Sequence, residues 1–323
     1  MSVDCQIGQE RSPAFAVRIR QNRTALGILS LCLGVLVFSL QDPLVKSVSR
    51  GYPVTEVMAI RALVALPILI VIVRSDVGLK ALLSKRFGML TLRAFGQFSS
   101  YTIYYLAIAA LPLADAIALY FMAPLFILTL AGPFLGERVS RRTLATVLVG
   151  LVGVLVMLRP GVGLFEWAAL LSLGSAVLYS LSQIMARKIG DTESGTVMAF
   201  YQNGAYLVGA LVVGAVFHVL GITHAEHPSL DFLVRPWVWA TMPDLLKMAA
   251  CGVVASAGMI LLSQAYRMAP ANRVATFEYT GILWSPLWGF LFFAETPRAM
   301  TVLGAALIVS AGLLAFRSEK LQR

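Results

Sequence analysis

Residues 104–160 read YYLAIAALPLADAIALYFMAPLFILTLAGPFLGERVSRRTLATVLVGLVGVLVMLRP. Two apolar runs, Leu113–Phe134 and Thr143–Leu158, flank the basic turn Gly136-Glu137-Arg138-Val139-Ser140-Arg141-Arg142. Pro124 lies deep in the first run and is expected inside its helix. A bilayer tolerates such a proline where neighbours or cavity water satisfy the freed carbonyl. Residues 264–316 repeat the pattern: QAYRMAPANRVATFEYTGILWSPLWGFLFFAETPRAMTVLGAALIVSAGLLAF. Ala107/Ala265, Pro112/Pro270, Phe134/Phe292 and Glu137/Glu295 each stand 158 positions apart. Self-similarity at long period in an apolar chain points to a repeat transporter.

Composition agrees. The chain is 59% hydrophobic and 13% charged, with a mean hydropathy of +0.81, where soluble domains carry about 25% charged residues. Ten spans follow from runs near the roughly 20 residues that cross a bilayer. They lie at about 25–45, 54–73, 88–109, 113–134, 143–158, 165–186, 196–220, 245–266, 273–294 and 299–316. Only the connection 221–244 is long. Residues 1–24 are polar with Arg11, Arg18, Arg20 and Arg23, and no small-residue cleavage site follows the first run. That reads as an uncleaved start-transfer segment.

The net charge of +10 reflects orientation rather than nucleic-acid binding. With the N-terminus inside, 19 of the 26 lysines and arginines fall on the cytoplasmic side and 6 outside, with Arg61 inside a span. By the positive-inside rule both termini are cytoplasmic. The expected fold is an all-α integral membrane protein of ten transmembrane helices. Its parts are a tail (1–24), a five-helix repeat (25–158), a second five-helix repeat (163–316) and a short tail (317–323). The first spans also match, with Leu29, Phe38, Ser39, Leu40 and Lys46 facing Leu170, Tyr179, Ser180, Leu181 and Arg187 at an offset of 141. Five is odd, so the second repeat is inverted, which places a substrate site near the midplane between the copies.

These features resemble the EamA-type module of the drug/metabolite transporter superfamily. The resemblance rests on the A-x4-P-x-A-x-A pattern of Ala107–Ala116, Pro124-Leu125-Phe126, Leu135-Gly136-Glu137-Arg138 and Gly150/Gly153. The second copy shows Ala265/Pro270, Pro286-Leu287, Ala294-Glu295 and Gly304/Gly312. Pro286 falls four residues later than strict alignment with Pro124 requires, and Thr146 replaces the family's usual glycine. The resemblance implies a solute carrier whose cavity is lined by spans 1, 3, 4, 6, 8 and 9. Asp42-Pro43 with Lys46, Glu56 with Arg61, and Leu92-Arg93 look like the subgroup with riboflavin and S-adenosylmethionine carriers.

Cavity-lining residues are expected along these spans. On span three Arg93, Gln97, Tyr101, Tyr104 and Tyr105 fall on one helical stripe. Span one offers Phe38, Gln41, Asp42 and Lys46, and span four Tyr120. Span six offers Ser175, Tyr179 and Gln183, span eight Ser256 and Gln264, and span nine Glu278, Tyr279 and Trp288. Interfacial tyrosines are the bland alternative. A wet, aromatic-lined site would suit a flat, ring-bearing solute.

A buried ionisable group costs at least about 2.5–3.5 kcal/mol and faces a partner or a cavity. Arg61 is expected to pair with Asp42, near Lys46 and Glu56; an ion pair that only locks two spans together is the alternative. Glu278 reads as a proton-carrying or cation-recognising carboxylate. Glu137 and Glu295 read as structural, each favoured by the dipole of the helix after it.

Other chemistries are thin. There is no phosphate-binding loop for ATP, and no span interior pairs a histidine with a serine. His218, His224, Glu226 and His227 lack zinc-protease spacing, and three cysteines show no metal spacing. Trp237 and Trp239 suit an interface. The sequence therefore predicts no enzyme, cofactor or metal. It predicts a secondary transporter in the plasma membrane (a bacterial inner membrane), importing a flavin-like or adenosyl-type metabolite by alternating access. Efflux of amino acids or drug-like metabolites is the alternative. A membrane structural or assembly protein, or a lipid-modifying enzyme, whose polar residues are helix glue, is the alternative of another class. Expected partners are the bilayer, a small-molecule substrate and further copies in a homo-oligomer, with no nucleic acid.

Overall fold

The structure, a computed structural model, describes residues 13–48, 51–110, 119–158, 167–284, 287–288, 291 and 299–321. Every regular element among these is helical. The helices are α1 (Pro13–Ser39), α2 (Gln41–Val48), α3 (Val54–Asp76), α4 (Phe87–Ala110), α5 (Ala123–Leu135), α6 (Arg141–Leu158), α7 (Trp167–Ile189) and α8 (Gly195–Val219). They continue with α9 (Pro228–Val234), α10 (Met242–Met268), α11 (Ala271–Val274) and α12 (Ala299–Leu321). A 3-10 segment, Ala275–Leu283, extends α11.

Among the described residues five stretches are long and apolar enough to cross a membrane: Arg23–Val45, Val54–Asp76, Ala168–Ile189, Gly195–Val219 and Met242–Met268. Ala123–Leu135 and Val302–Ala311 are shorter apolar helices. Large apolar side chains such as Leu63, Val71, Leu92, Leu170 and Val212 point outward. Such a surface suits lipid and would be a liability in water.

The packing is reciprocal. The most extensive contacts join α1 to α10, α3 to α8, α4 to α7 and α6 to α12. Each joins a helix before residue 159 to one after it. Next come α3 with α10 and α4 with α8, and α5 meets the 3-10 segment. Small residues permit the close approaches. A Cβ on Gly252 would meet the Arg61 carbonyl, and one on Gly258 would meet the Phe38 ring.

Several elements depart from the sequence reading. Pro124 lies in the first turn of α5 rather than deep in a helix, after the chain turns at Phe121–Met122. A first-turn proline loses no intrahelical bond, because its N–H would have no partner there. Span one divides at Leu40 into α1 and α2. Span nine begins as a short α-helix that tightens into the 3-10 segment. The connection 221–244 contains α9, where Asp231 hydrogen-bonds Arg235 at 2.8 Å and His224 at 2.7 Å. Arg235 holds the Asp231 carboxyl below its ordinary range.

Glu137 also departs from expectation. Gly136, at φ 67°, ends α5 in the left-handed conformation, a common helix stop. The Glu137 carboxylate then accepts from the backbone N–H groups of Ala271 (3.1 Å) and Asn272 (3.0 Å). It does not serve the helix that follows it. Arg187 stands 3.6 Å away and donates to the Arg267 carbonyl at 3.2 Å. Asn272 donates to the Arg138 carbonyl at 3.1 Å. The carboxylate thus ties the α5–α6 turn to two elements of the later half. Glu295 lies outside the described residues.

Candidate functional site

The tyrosine stripe on α4 meets rings from three other segments, and one of these carries the contact on to α7. Tyr101 stacks with Phe38 of α1 at 6.0 Å between centroids and meets Tyr206 of α8 at 5.9 Å. Tyr105 lies 6.2 Å from Tyr101 and 5.9 Å from Tyr104. Tyr104 meets Tyr120, just before α5, at 4.6 Å, and Tyr120 meets Tyr179 of α7 at 5.6 Å. The result is a continuous belt of rings drawn from both halves. Tyr104, Tyr105, Tyr179 and Tyr206 are buried. Rings at 4.5–7 Å attract one another beyond simple area burial.

An ionisable side chain stands at each end of the belt. Arg61 of α3 is 1% exposed, and its guanidinium lies 4.4 Å over the Tyr206 ring. Its Nη1 donates to Gln41 Oε1 at 3.2 Å, and Gln41 Nε2 donates to the Tyr105 hydroxyl at 2.8 Å. Arg61 Nε and Nη2 have no hydrogen-bond partner among the described residues. At the other end Glu278, 6% exposed, accepts from the Tyr179 hydroxyl at 2.8 Å and from the Tyr266 hydroxyl. Both bonds fall on Oε1.

Arg93 forms the next rung inward. Its Nη1 reaches Gln202 Oε1 at 3.5 Å and its Nη2 reaches Ser263 Oγ at 3.2 Å, while Nε is unpartnered. One turn along both helices, the Tyr206 hydroxyl donates to the Gln97 carbonyl at 3.3 Å. Four residues of helix are about 6 Å, so Arg61 and Arg93 approach Tyr206 from adjacent levels.

The expected site residues divide into groups. Phe38, Gln41, Arg61, Tyr101, Tyr104, Tyr105, Tyr120, Tyr179 and Glu278 come together in the belt and its ends. Gln97 lies one turn from Arg93 on α4, and Gln183 lies on α7. Gln97 Oε1 and both side-chain polar atoms of Gln183 are buried without a partner. Ser182, next to Gln183, donates to the Arg93 carbonyl at 3.3 Å.

Other expected residues lie elsewhere. Gln264 accepts from Arg267 at 3.1 Å, and its side chain occupies the space a Cβ on Gly195 would need, at the end of α10. Tyr279 packs its ring on Gly150 and Phe121, among Leu128, Val147 and Ile308. As the residue next to Glu278, Tyr279 points away from the belt into this buried cluster. Trp288 donates to Ser39 Oγ at 2.7 Å. The side chains of Asp42 and Lys46 lie outside the described residues, so the expected Asp42–Arg61 pair does too. Glu56 accepts from the Val238 N–H at 3.1 Å, and Trp237 donates to Thr55 at 2.8 Å.

Tyr206, Gln202, Tyr266 and Ser263 escaped the sequence reading. Gln202 and Tyr206 are spaced i, i+4 on span seven, a polar stripe like that of span three. That pattern could have found them. Among the described residues no cluster of three metal-ligating side chains occurs.

A model of the EamA-like transporter family matches residues 25–159 and 166–317. The chain is 30% identical over 297 residues to proteins named pseudopaline exporter CntI in Pseudomonas aeruginosa, covering 91% of this chain and 97% of the relative. It is 25% identical to a Vibrio cholerae riboflavin transporter, covering 88% of this chain and 90% of that one. It is 26% identical to a Rickettsia prowazekii S-adenosylmethionine uptake transporter, covering 91% and 93%. A crystal structure of a protein with 19% identity superposes with a TM-score of 0.75, covering 94% of this chain and 99% of that one.

Proposed function

The chain belongs to the EamA-like transporter family, and on that premise we propose that it is a secondary transporter of a small ring-bearing metabolite. It works in a bacterial inner membrane, with ten spans in two inverted five-helix repeats and both termini in the cytoplasm. The cargo binds along the tyrosine belt and is released to either side as the halves rock. The observation that carries this reading is the belt itself: Phe38, Tyr101, Tyr104, Tyr105 and Tyr120 from one half meet Tyr179 and Tyr206 from the other. The reciprocal packing supports a two-fold relation between the halves, since under such an axis each contact has a mate.

Relatives named for riboflavin and for S-adenosylmethionine support a ring-bearing cargo. Export is the second reading, favoured by the 30% identical exporters. The test is flux into and out of proteoliposomes with labelled S-adenosylmethionine and riboflavin. Flux of at least one probe above that of empty vesicles is expected, together with about a tenfold loss in Tyr104→Ala. Removing a buried ring costs roughly 1.5–3 kcal/mol of contact, and each 1.4 kcal/mol is tenfold. No flux with either probe, or flux indifferent to Tyr104→Ala, contradicts the reading.

A further inference from the structure

Two buried guanidiniums flank Tyr206, and none of the ion pairs among the described residues includes either one. Arg61 has a cation–π contact and one hydrogen bond, to a neutral amide. Arg93 has a neutral amide and a hydroxyl. Three guanidinium nitrogens (Arg61 Nε and Nη2, Arg93 Nε) are buried without an acceptor among the described residues. The Gln183 amide, next in sequence to the Ser182 that bonds the Arg93 carbonyl, is fully buried and unpartnered at both atoms among the described residues. An arginine kept at membrane depth without a counter-ion is costly unless it serves a pathway or a ligand. A guanidinium fork with free N–H groups matches a carboxylate geometrically.

We infer that the Tyr206 side of the belt is a carboxylate-binding subsite, with Arg61 as the primary group and Arg93 as the second. The cargo is then a ring-bearing aminocarboxylate. Its acid group docks at Arg61 and its ring lies on Tyr101, Tyr104 and Tyr105. This rests on the transporter reading above and narrows it, separating zwitterions from neutral flavins. Gln41, bonded to both Arg61 and Tyr105, holds the guanidinium against the belt.

The test uses the full chain in lipid nanodiscs and calorimetric Kd values for three probes: S-adenosylmethionine, its carboxyl methyl ester, and riboflavin. S-adenosylmethionine is expected to bind about tenfold or more tighter than its ester, the scale of a charge-assisted hydrogen bond. Arg61→Gln erases that gap while changing the ester's own Kd less than about threefold. Arg61→Lys restores part of it, because a point charge remains without the fork. Arg93→Gln narrows the gap in the same direction and provides a second variant should Arg61→Gln fail to fold. Equal binding of acid and ester overturns the subsite, as does an acid Kd above about 1 mM or a gap that survives both substitutions. Riboflavin flux sensitive to Tyr104→Ala but indifferent to both arginines overturns the subsite and leaves the transporter standing. No flux of any probe defeats the transporter reading itself.

Discussion

Glu278→Gln is expected to reduce S-adenosylmethionine flux in proteoliposomes by about 100-fold while the protein stays folded. The substitution keeps the size of the side chain and an Oε1 that accepts from Tyr179 and Tyr266, the two hydroxyls that hold it. What disappears is the negative charge opposite the cargo's cation. A hydrogen bond to a charged group is worth roughly 1.5–3 kcal/mol, and burial strengthens it because the local dielectric is low. Each 1.4 kcal/mol is a decade, so the upper end of that range gives the stated loss. Thermal melting should stay within a few degrees of the parent, which separates lost recognition from lost folding. Riboflavin, which offers no cation, should lose less. Unchanged S-adenosylmethionine flux would show that the carboxylate only anchors two tyrosines.

Glu137→Ala is the second large effect, and it concerns motion rather than recognition. One carboxylate accepts from the N–H groups of Ala271 and Asn272 and stands beside Arg187. All three lie across the boundary between halves, on the face that the charge distribution assigns to the cytoplasm. Two hydrogen bonds of roughly 1.5–3 kcal/mol each make about 3–6 kcal/mol. Water regains part of this, because Glu137 and Arg187 are 14% and 26% exposed. A net shift of about 2–3 kcal/mol moves a two-state equilibrium some 30- to 100-fold toward the open face. Spin labels at Val139→Cys and Lys188→Cys, in a background lacking Cys5, Cys32 and Cys251, report it. The expected result is a longer distance population that dominates in Glu137→Ala and is minor in the parent. Identical distance distributions in the two proteins would make the contact a static cap.

The sequence carried the all-helical, membrane-spanning character because a bilayer imposes length and apolarity on every span. Duplication at offsets of 141 and 158 then showed the same unit twice. It carried the α4 stripe for a similar reason, since Arg93, Gln97, Tyr101 and Tyr105 recur every four residues. Partners across helices were less legible. Arg61 meets Gln41 and Tyr206, which lie 20 residues before it and 145 after it, and no local pattern selects them. Glu278 and Tyr279 are adjacent on the 3-10 segment and so face different directions, and this is why Glu278 joins the belt while Tyr279 packs on Gly150. Gln264 looked inward by position on span eight, yet Arg267 one turn later draws it to the helix end. Glu137 was legible as structural but not as a bridge, because its donors, the Ala271 and Asn272 N–H groups, follow Pro270 in the other repeat. The proline at 124 misled for a local reason: its residue type is compatible with both a kinked helix and a first turn, and the turn at Phe121–Met122 carries no glycine to mark it.

The most direct measurement is the sidedness of two single cysteines, Arg141→Cys and Arg298→Cys, probed with a membrane-impermeant maleimide in intact cells and in inverted vesicles. These positions end equivalent connections in the two repeats. Inverted copies require Arg141→Cys to react only from the cytoplasm and Arg298→Cys only from outside. Reaction of both from one side would mean that the copies are not inverted, and the shared tyrosine-lined site would lose its basis.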